Sequence, residues 1–319
     1  MDAKRFAHLL RDLVELTPQQ VARINQYLSS LQGLPELASS LGKGLKTCPH
    51  CGSEHFIHWG RSRGIARFRC QGCRRTFSPL TRTPLAGLHY PERWTTYTEA
   101  MIAGLSIRNC ARISAIHRNT AFRWRHRFLK NSATAQAKHL DGITEADETL
   151  FLRSEKGARH LQRPARKRGG KAIQRGRSKE QVCVLVTRDR SGATADFVMP
   201  IFNARQLETV LKPRMAKDAL LCSDGLPVYG AFCNKLHIPH RIVHDQIGDR
   251  VIQKAFHIQN VNAYHSRLKG WIYRFHGVAT HYLANYLGWF RWLDQTGSTA
   301  TPLALLLTAK AGEQHALVT

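Results

Sequence analysis

Apolar residues recur at helical spacing near the start of the chain. Phe6, Leu9 and Leu10 predict one helix, and a capping box that begins at Thr17 predicts a second. We interpret this pair as a docking or dimerisation element that carries no chemistry. The stretch 33–44, which begins and ends with glycine, is expected to be a linker. Residues 1–44 are therefore predicted to be an N-terminal helical segment and linker.

Three short helical segments are predicted between residues 90 and 132. Pro91 and Gly104 bound the first, Ser106 is a candidate N-cap for the second, and the third covers HRNTAFRWRHRFLK. This spacing is typical of a helix-turn-helix module, in which the third helix enters the major groove of DNA. A basic helical bundle that links two domains is the alternative. The candidate DNA contacts on the third helix are Arg118, Asn119, Arg123, Arg125 and Arg127.

Short apolar runs typical of strands dominate residues 141–295. ITEADETLFL, QVCVLVTRD and TADFVMP predict three strands, and two more are predicted after an intervening helix. We therefore expect an α/β fold in which a mixed five-stranded sheet is flanked by helices. Residues 296–319 are expected to form a C-terminal tail with one short packing helix.

The charge balance indicates the kind of partner. Lys and Arg number 48 against 22 Asp and Glu, which gives a formal charge of +26. A folded chain with this self-repulsion is expected to bind a polyanion, and nucleic acid is favoured because neutralised phosphates release counterions. A membrane is disfavoured, since no apolar stretch could span a bilayer and no basic amphipathic helix stands apart. The start of the chain lacks the apolar core of a signal peptide, so we expect a cytoplasmic protein.

A basic stretch interrupts the predicted strands at residues 158–179. It holds nine Lys and Arg, no acidic residue and a central Gly-Gly pair. These features predict a flexible loop. Its candidate DNA contacts are Arg166, Lys167, Arg168 and Lys171.

Four of the eight cysteines form two CxxC pairs. Cys48 and Cys51 make up one pair, Cys70 and Cys73 the other, and 18 residues lie between the pairs. This spacing predicts a tetrahedral four-thiolate Zn²⁺ site in a structural zinc ribbon over residues 45–85. Four cysteines complete the ligand shell, so neighbouring histidines are left out of it.

Acidic residues are scarce, so their positions are informative. Asp147 lies in an apolar strand pattern, and Asp224 ends a buried strand. Two carboxylates at neighbouring strand ends could bind Mg²⁺ or Mn²⁺. The equally favoured alternative is that Asp147 forms an ion pair with an arginine and that Asp224 begins a turn. The helix HIQNVNAYHSRLKGW has no carboxylate, but it places Asn262 and Lys269 two turns apart on one face, together with His265.

These motifs resemble those of the insertion-sequence transposases of the IS-fifteen-ninety-five-like family, from Cys48 to Trp292. The resemblance rests on CPHC…CQGC, ADET, SDG with a following Tyr229, and the long run HIQNVNAYHSRLKGWIYRFHGVATHYLANYLGWFRW. It implies an RNase H-like core at 141–295, whose first three strands are antiparallel and whose next two are parallel. It also implies that Asp147, Asp224, Asn262 and Lys269 occupy the catalytic positions. Since side chains alternate along a strand, we expect Glu148 to face away from Asp147 and to be structural.

The resemblance implies a DNA transposase that binds terminal inverted repeats as a dimer on paired ends. Such an enzyme frees a 3′-OH and joins it to target DNA. The sequence is also compatible with two other functions. One is a catalytically inactive, transposase-derived regulator, suggested by the uncharged Asn262; the other is a zinc-ribbon nuclease that cleaves without strand transfer.

Overall fold

A computed structural model describes residues 2–161, 164, 170–174, 176–243 and 255–311. The chain divides into two compact units: Met1–Phe128 with Ala300–Thr319, and Leu129–Thr299. We refer to them as the first and second units. No helix in the described ranges is long and apolar enough to cross a membrane.

Two helices begin the first unit, α1 over Ala3–Asp12 and α2 over Pro18–Gly42. The capping box at Thr17 is confirmed. The prediction of a linker over 33–44 is wrong up to Gly42, because α2 continues through Pro35 and ends at Gly42. Leu37 and Leu41 are buried one turn apart after that proline, so tertiary packing overrides the local preference of Gly and Pro.

A three-stranded antiparallel sheet follows in the order β1-β2-β3, with β1 at Phe56–Ser62, β2 at Ile65–Cys70 and β3 at Thr76–Phe77. The first two strands join the two CxxC pairs, and the third is too short for a sequence pattern to reveal. Phe77 is buried and packs with Phe56, Phe68 and the cysteines. The apolar centre of this small sheet is therefore close to its cysteines.

Three helices complete the predicted helical module: α3 at Trp94–Ile102, α4 at Ile107–Ile113 and α5 at Arg118–Thr134. Ser106 caps α4 by accepting a hydrogen bond from the backbone N–H of Asn109 at 3.3 Å, as predicted. Trp94 and Trp124 are buried in contact with each other. The late helix α10, Pro302–Ala311, also belongs to the first unit.

The second unit contains a five-stranded sheet in the order β6-β5-β4-β7-β8. Its strands are β4 at Ile143–Leu152, β5 at Gln181–Asp189, β6 at Thr194–Met199, β7 at Leu220–Ser223 and β8 at His240–Ile242. The first three are antiparallel, and β4, β7 and β8 are mutually parallel neighbours. This mixed sheet confirms the α/β fold with an RNase H-like core.

Helices cover the sheet on both faces. Between and after the strands lie α6 at Ala204–Leu211, α7 at Pro227–Leu236, α8 at Gln259–Tyr273 and α9 at Leu283–Thr296. Ala146 and Leu221 pack with Tyr229 and Phe232 of α7 in one core. Along β4, alternate side chains therefore face α7, and the intervening ones face away from it.

Candidate functional site

The four predicted cysteines form one cluster, with all sulfurs within 4.8 Å of one another. The Cys48 and Cys73 sulfurs are 3.8 Å apart, and those of Cys51 and Cys70 are 3.6 Å apart. Tetrahedral zinc with Zn–S bonds of about 2.3 Å would separate its sulfurs by about 3.8 Å. The cluster therefore fits a zinc ribbon, and no histidine belongs to it within the described residues.

Backbone N–H groups support negative charge on these sulfurs. Cys73 N–H donates to the Cys70 sulfur at 3.5 Å, and His50 N–H donates to the Cys48 sulfur at 3.4 Å. The bond from Cys73 is the largest cause that lowers the pKa of Cys70 to about 6. A thiol that ionises near neutral pH is suited to metal binding, because the thiolate is the ligand.

Three carboxylates meet where β7 ends. β7 pairs with β4 from Ile143–Leu220 to Glu145–Cys222, and β7 ends at Ser223. Beyond that point β7 no longer pairs with β4, so among the described residues this flank of β4 is open beside residues 147 and 148. There the carboxylate oxygens of Asp147, Glu148 and Asp224 lie within 4.8 Å of one another. We call these three residues the carboxylate cluster.

Glu148 was expected to be structural, and the structure places its carboxylate in the same cluster as those of Asp147 and Asp224. Asp147 faces α8, where His265 Nδ1 is 3.5 Å from its Oδ2. Glu148 faces α7, where the Tyr229 hydroxyl donates to its Oε2 at 3.1 Å. The two side chains thus leave opposite faces of the strand, as predicted. Their carboxylates nevertheless converge, because no strand in the described part of the chain separates them at the open flank.

Burial and mutual repulsion raise the pKa of two members of the cluster. Burial is the largest cause for Glu148, whose pKa rises to about 7, and the charge of Arg177 acts against this rise. Arg177 lies 3.3 Å from Glu148. Burial also raises the pKa of Asp224, and the charge of Asp147 adds to it. Carboxylates that crowd together in this way are suited to binding a cation.

Asn262 and Lys269 lie on α8, the helix whose His265 contacts Asp147. Both are exposed, three residues before and four residues after His265. Residues at these spacings share a helix face, so both lie on the side of α8 that carries His265. His265 itself is only 7% exposed, and its Nε2 has no hydrogen-bond partner among the described residues.

The candidate DNA contacts on α5 fall into two groups. Arg118, Asn119 and Arg123 are exposed. Arg125 is 0% exposed, and its guanidinium donates to the carbonyl of Leu105 at 2.7 Å. Arg127 donates to the carbonyls of residues 84 and 86 at 2.5 and 2.9 Å.

The structure therefore contradicts Arg125 as a DNA contact and gives Arg127 an internal role. The sequence contained a signal for this. Ala121, Trp124, Arg125 and Phe128 follow the i, i+3, i+4, i+7 spacing of a buried face.

Part of the predicted basic loop falls outside the described residues. Arg166, Lys167 and Arg168 lie there, whereas Lys171 is described and exposed. The loop also contains Arg177, which the sequence reasoning did not single out. Its guanidinium lies over the ring of Phe202 at 4.6 Å from the centroid, as well as beside Glu148.

Comparison with known proteins identifies one domain. Residues 139–293 match the family model of the ISXO2-like transposase domain. This range includes the five-stranded sheet, the carboxylate cluster and α8. The cysteine cluster lies outside the range. A search of curated proteins finds no match.

Proposed function

Residues 139–293 form an ISXO2-like transposase domain, and from this premise we propose that the protein is a DNA transposase acting on insertion-sequence ends. It binds the terminal inverted repeats, frees a 3′-OH at each end and joins it to target DNA. The observation that supports this most directly is the carboxylate cluster at the open flank of β4, inside the matched domain.

We assign the catalytic cation site to the carboxylate cluster and Asn262. Asp147 and Asp224 are the main ligands, and their hard oxygen atoms suit Mg²⁺ or Mn²⁺. When bound, such ions activate the attacking oxygen and stabilise the leaving one. Asn262 offers a neutral amide oxygen, and Glu148 supplies a third negative charge close by.

The other side chains bind and orient the DNA. Lys269 is exposed on the same side of α8 as His265 and contacts a phosphate near the cleaved bond. Arg118, Asn119 and Arg123 contact the terminal repeat from α5, while Lys171 and its loop contact flanking DNA. Zn²⁺ at the four cysteines stabilises the ribbon and takes no part in the chemistry. Two DNA ends must be paired, so the active form is a dimer on DNA.

The main alternative is an inactive regulator that binds DNA and cleaves none, since Asn262 carries no charge. Glu148 argues against it, because the cluster still has three carboxylates. A nuclease that does not join strands is the third possibility. A strand-transfer assay with a labelled 3′-OH end, the element's own ends and Mg²⁺ separates all three functions.

Asp147→Asn and Asp224→Asn test the site itself. Each change removes a ligand charge and little volume, so cleavage and strand transfer should be abolished while end binding persists. Asp218→Asn is the matched control, because Asp218 is exposed and outside the cluster. Strand transfer retained by Asp147→Asn or Asp224→Asn would refute this assignment.

A further inference from the structure

Glu145 is a buried carboxylate two residues before Asp147 on β4. It is 0% exposed, and alternation places it on the same side of the strand as Asp147. A buried carboxylate is stable only when donors surround it. Here Arg190 forms an ion pair with it, Asn260 Nδ2 donates to its Oε1 at 2.9 Å, and His257 Nδ1 lies 3.2 Å from that oxygen.

These donors belong to the start of α8 or are tied to it. The backbone N–H of Val261, in the first turn of α8, donates to Glu145 Oε2 at 3.0 Å. Arg190 Nη2 also donates to the carbonyl of Ala255, just before the helix, at 2.7 Å. The first N–H groups of a helix lack partners within it and carry the positive end of its dipole. Glu145 is thus an acceptor on β4 for the beginning of α8.

The segment after β4 holds the other end of α8. Lys156 Nζ donates to the carbonyls of residues 275–277 at 3.0, 3.3 and 2.7 Å, just past the helix. The backbone N–H of Thr280 donates to the carbonyl of Ser154 at 2.8 Å, and Ser154 N–H donates to the Thr280 hydroxyl at 2.8 Å. The helix is therefore fastened at both ends to β4 and the residues that directly follow it.

Between the two ends of α8, its contacts with β4 have matching spacing along the strand and along the helix. From Glu145 to Asp147 the strand advances about 6.6 Å. From Val261 to His265, the two residues that meet those carboxylates, the helix advances about 6 Å. Asn262 lies between the two contacts. A shift of the first turn of α8 would therefore move Asn262 relative to Asp147.

We propose that Glu145 is a positioning residue that fixes the first turn of α8, and with it Asn262, against Asp147. This inference rests on the proposed transposase function. Glu145 has no exposed surface with which to touch DNA. It acts by holding the helix and strand in register before the DNA arrives, which matters because a displacement of about 1 Å can slow a reaction about a hundredfold.

Glu145→Gln in the full chain tests the proposal. The amide keeps the side-chain volume but has only one oxygen. Its NH₂ group must therefore face a donor whose hydrogen bond the carboxylate accepted. We expect the strand-transfer rate at saturating DNA to fall by about ten- to a hundredfold, with end binding unchanged. Hydrogen exchange should become faster in residues 255–266 and stay unchanged in β5. Asp294→Asn is the control, because it removes the ion pairs of Asp294 with Arg267 of α8 and Arg188 of β5 and leaves Glu145 and its donors in place.

Two results would overturn the proposal. One is normal transfer and normal exchange in Glu145→Gln. The other is faster exchange throughout the second unit together with loss of end binding, which would indicate general structural support. If the wild-type chain transfers no strand, the proposed function fails. Exchange then decides the anchoring alone: faster exchange confined to 255–266 supports it, and unchanged exchange refutes it.

Discussion

At the scale of single residues, we expect Glu148 to make metal binding at the carboxylate cluster depend on pH. Burial and the neighbouring carboxylates raise its pKa to about 7, so below that pH it carries a proton that a cation must displace. We expect the affinity of the full chain for Mn²⁺ to increase as the pH rises from about 5.5 to about 8. The free energy of unfolding depends on pH in the opposite direction. Because the pKa of Glu148 is raised in the folded state, protonation of this group favours the folded state as the pH falls through 7. Titration calorimetry across this range measures the affinity.

The control for this pH dependence is a pair of variants. Glu148→Gln removes the titrating group and should flatten the dependence, whereas Asp218→Asn should leave it unchanged. Equal pH dependence in Glu148→Gln and the wild type would show that Glu148 does not take part. Affinity should also be weak without DNA and stronger with it, since the proposed ligand Asn262 contributes no charge.

Some residues of the site could be predicted from the sequence, and others could not. Asp147 and Asp224 attract attention because carboxylates are scarce and both lie in strand patterns. Glu148 could not be assigned to the cluster, because alternation alone places it on the other face. Only the position at which β7 ends shows that side chains from both faces of β4 can meet at the open flank.

At the scale of elements, we expect the ribbon to depend on a bound metal, because its apolar centre is small. Its only fully buried aromatic ring among the described residues is Phe77. Changing Cys48 and Cys51 to Ser together should abolish zinc binding and unfold the ribbon, whereas Cys233→Ala should keep one zinc per chain. Metal analysis by mass spectrometry measures the stoichiometry. Zinc content unchanged by the double substitution would rule out the site.

Helix α9 contains a close backbone contact that predicts a large effect of a small substitution. A Cβ added at Gly288 would overlap the backbone of Ser132, whereas a Cβ added at Gly270 in α8 would meet no atom within 4 Å. Gly288→Ala should lower the free energy of unfolding by about 2 kcal/mol or more, because backbone atoms must move apart. Gly270→Ala should raise it by up to about 1 kcal/mol through helix propensity. Denaturant unfolding measures both, and equal effects would contradict the contact.

The type and order of elements could be predicted better than their limits. Period-two and helical patterns identify the five strands and the three helices of the module. The extent of α2 could not be predicted, since Pro35 and Gly33 are ordinarily helix breakers. Its continuation depends on the burial of Leu37 and Leu41, which is a property of tertiary packing.

At the scale of the whole molecule, the charge of +26 predicts binding that is very sensitive to salt. If six or more phosphates are neutralised, affinity for DNA should fall by about 10³-fold or more between about 50 and 200 mM salt. Arg123→Ala should reduce the slope of log affinity against log salt by about 0.9. Arg125→Met should leave the slope unchanged and lower stability instead, because this guanidinium is buried. A reduced slope in Arg125→Met would contradict its internal role.

The early end of β7 imposes a rule on insertions and deletions in this chain. The carboxylates converge because β7 pairs with β4 only as far as Cys222 and ends at Ser223. If β7 were two residues longer, it would pair with β4 beside Asp147 and separate the carboxylates of Asp147 and Glu148. Every acidic residue would still be present. Additional residues after Gly225 would leave the flank open. The domain should therefore tolerate changes of length in the turn and lose its chemistry when the strand itself grows.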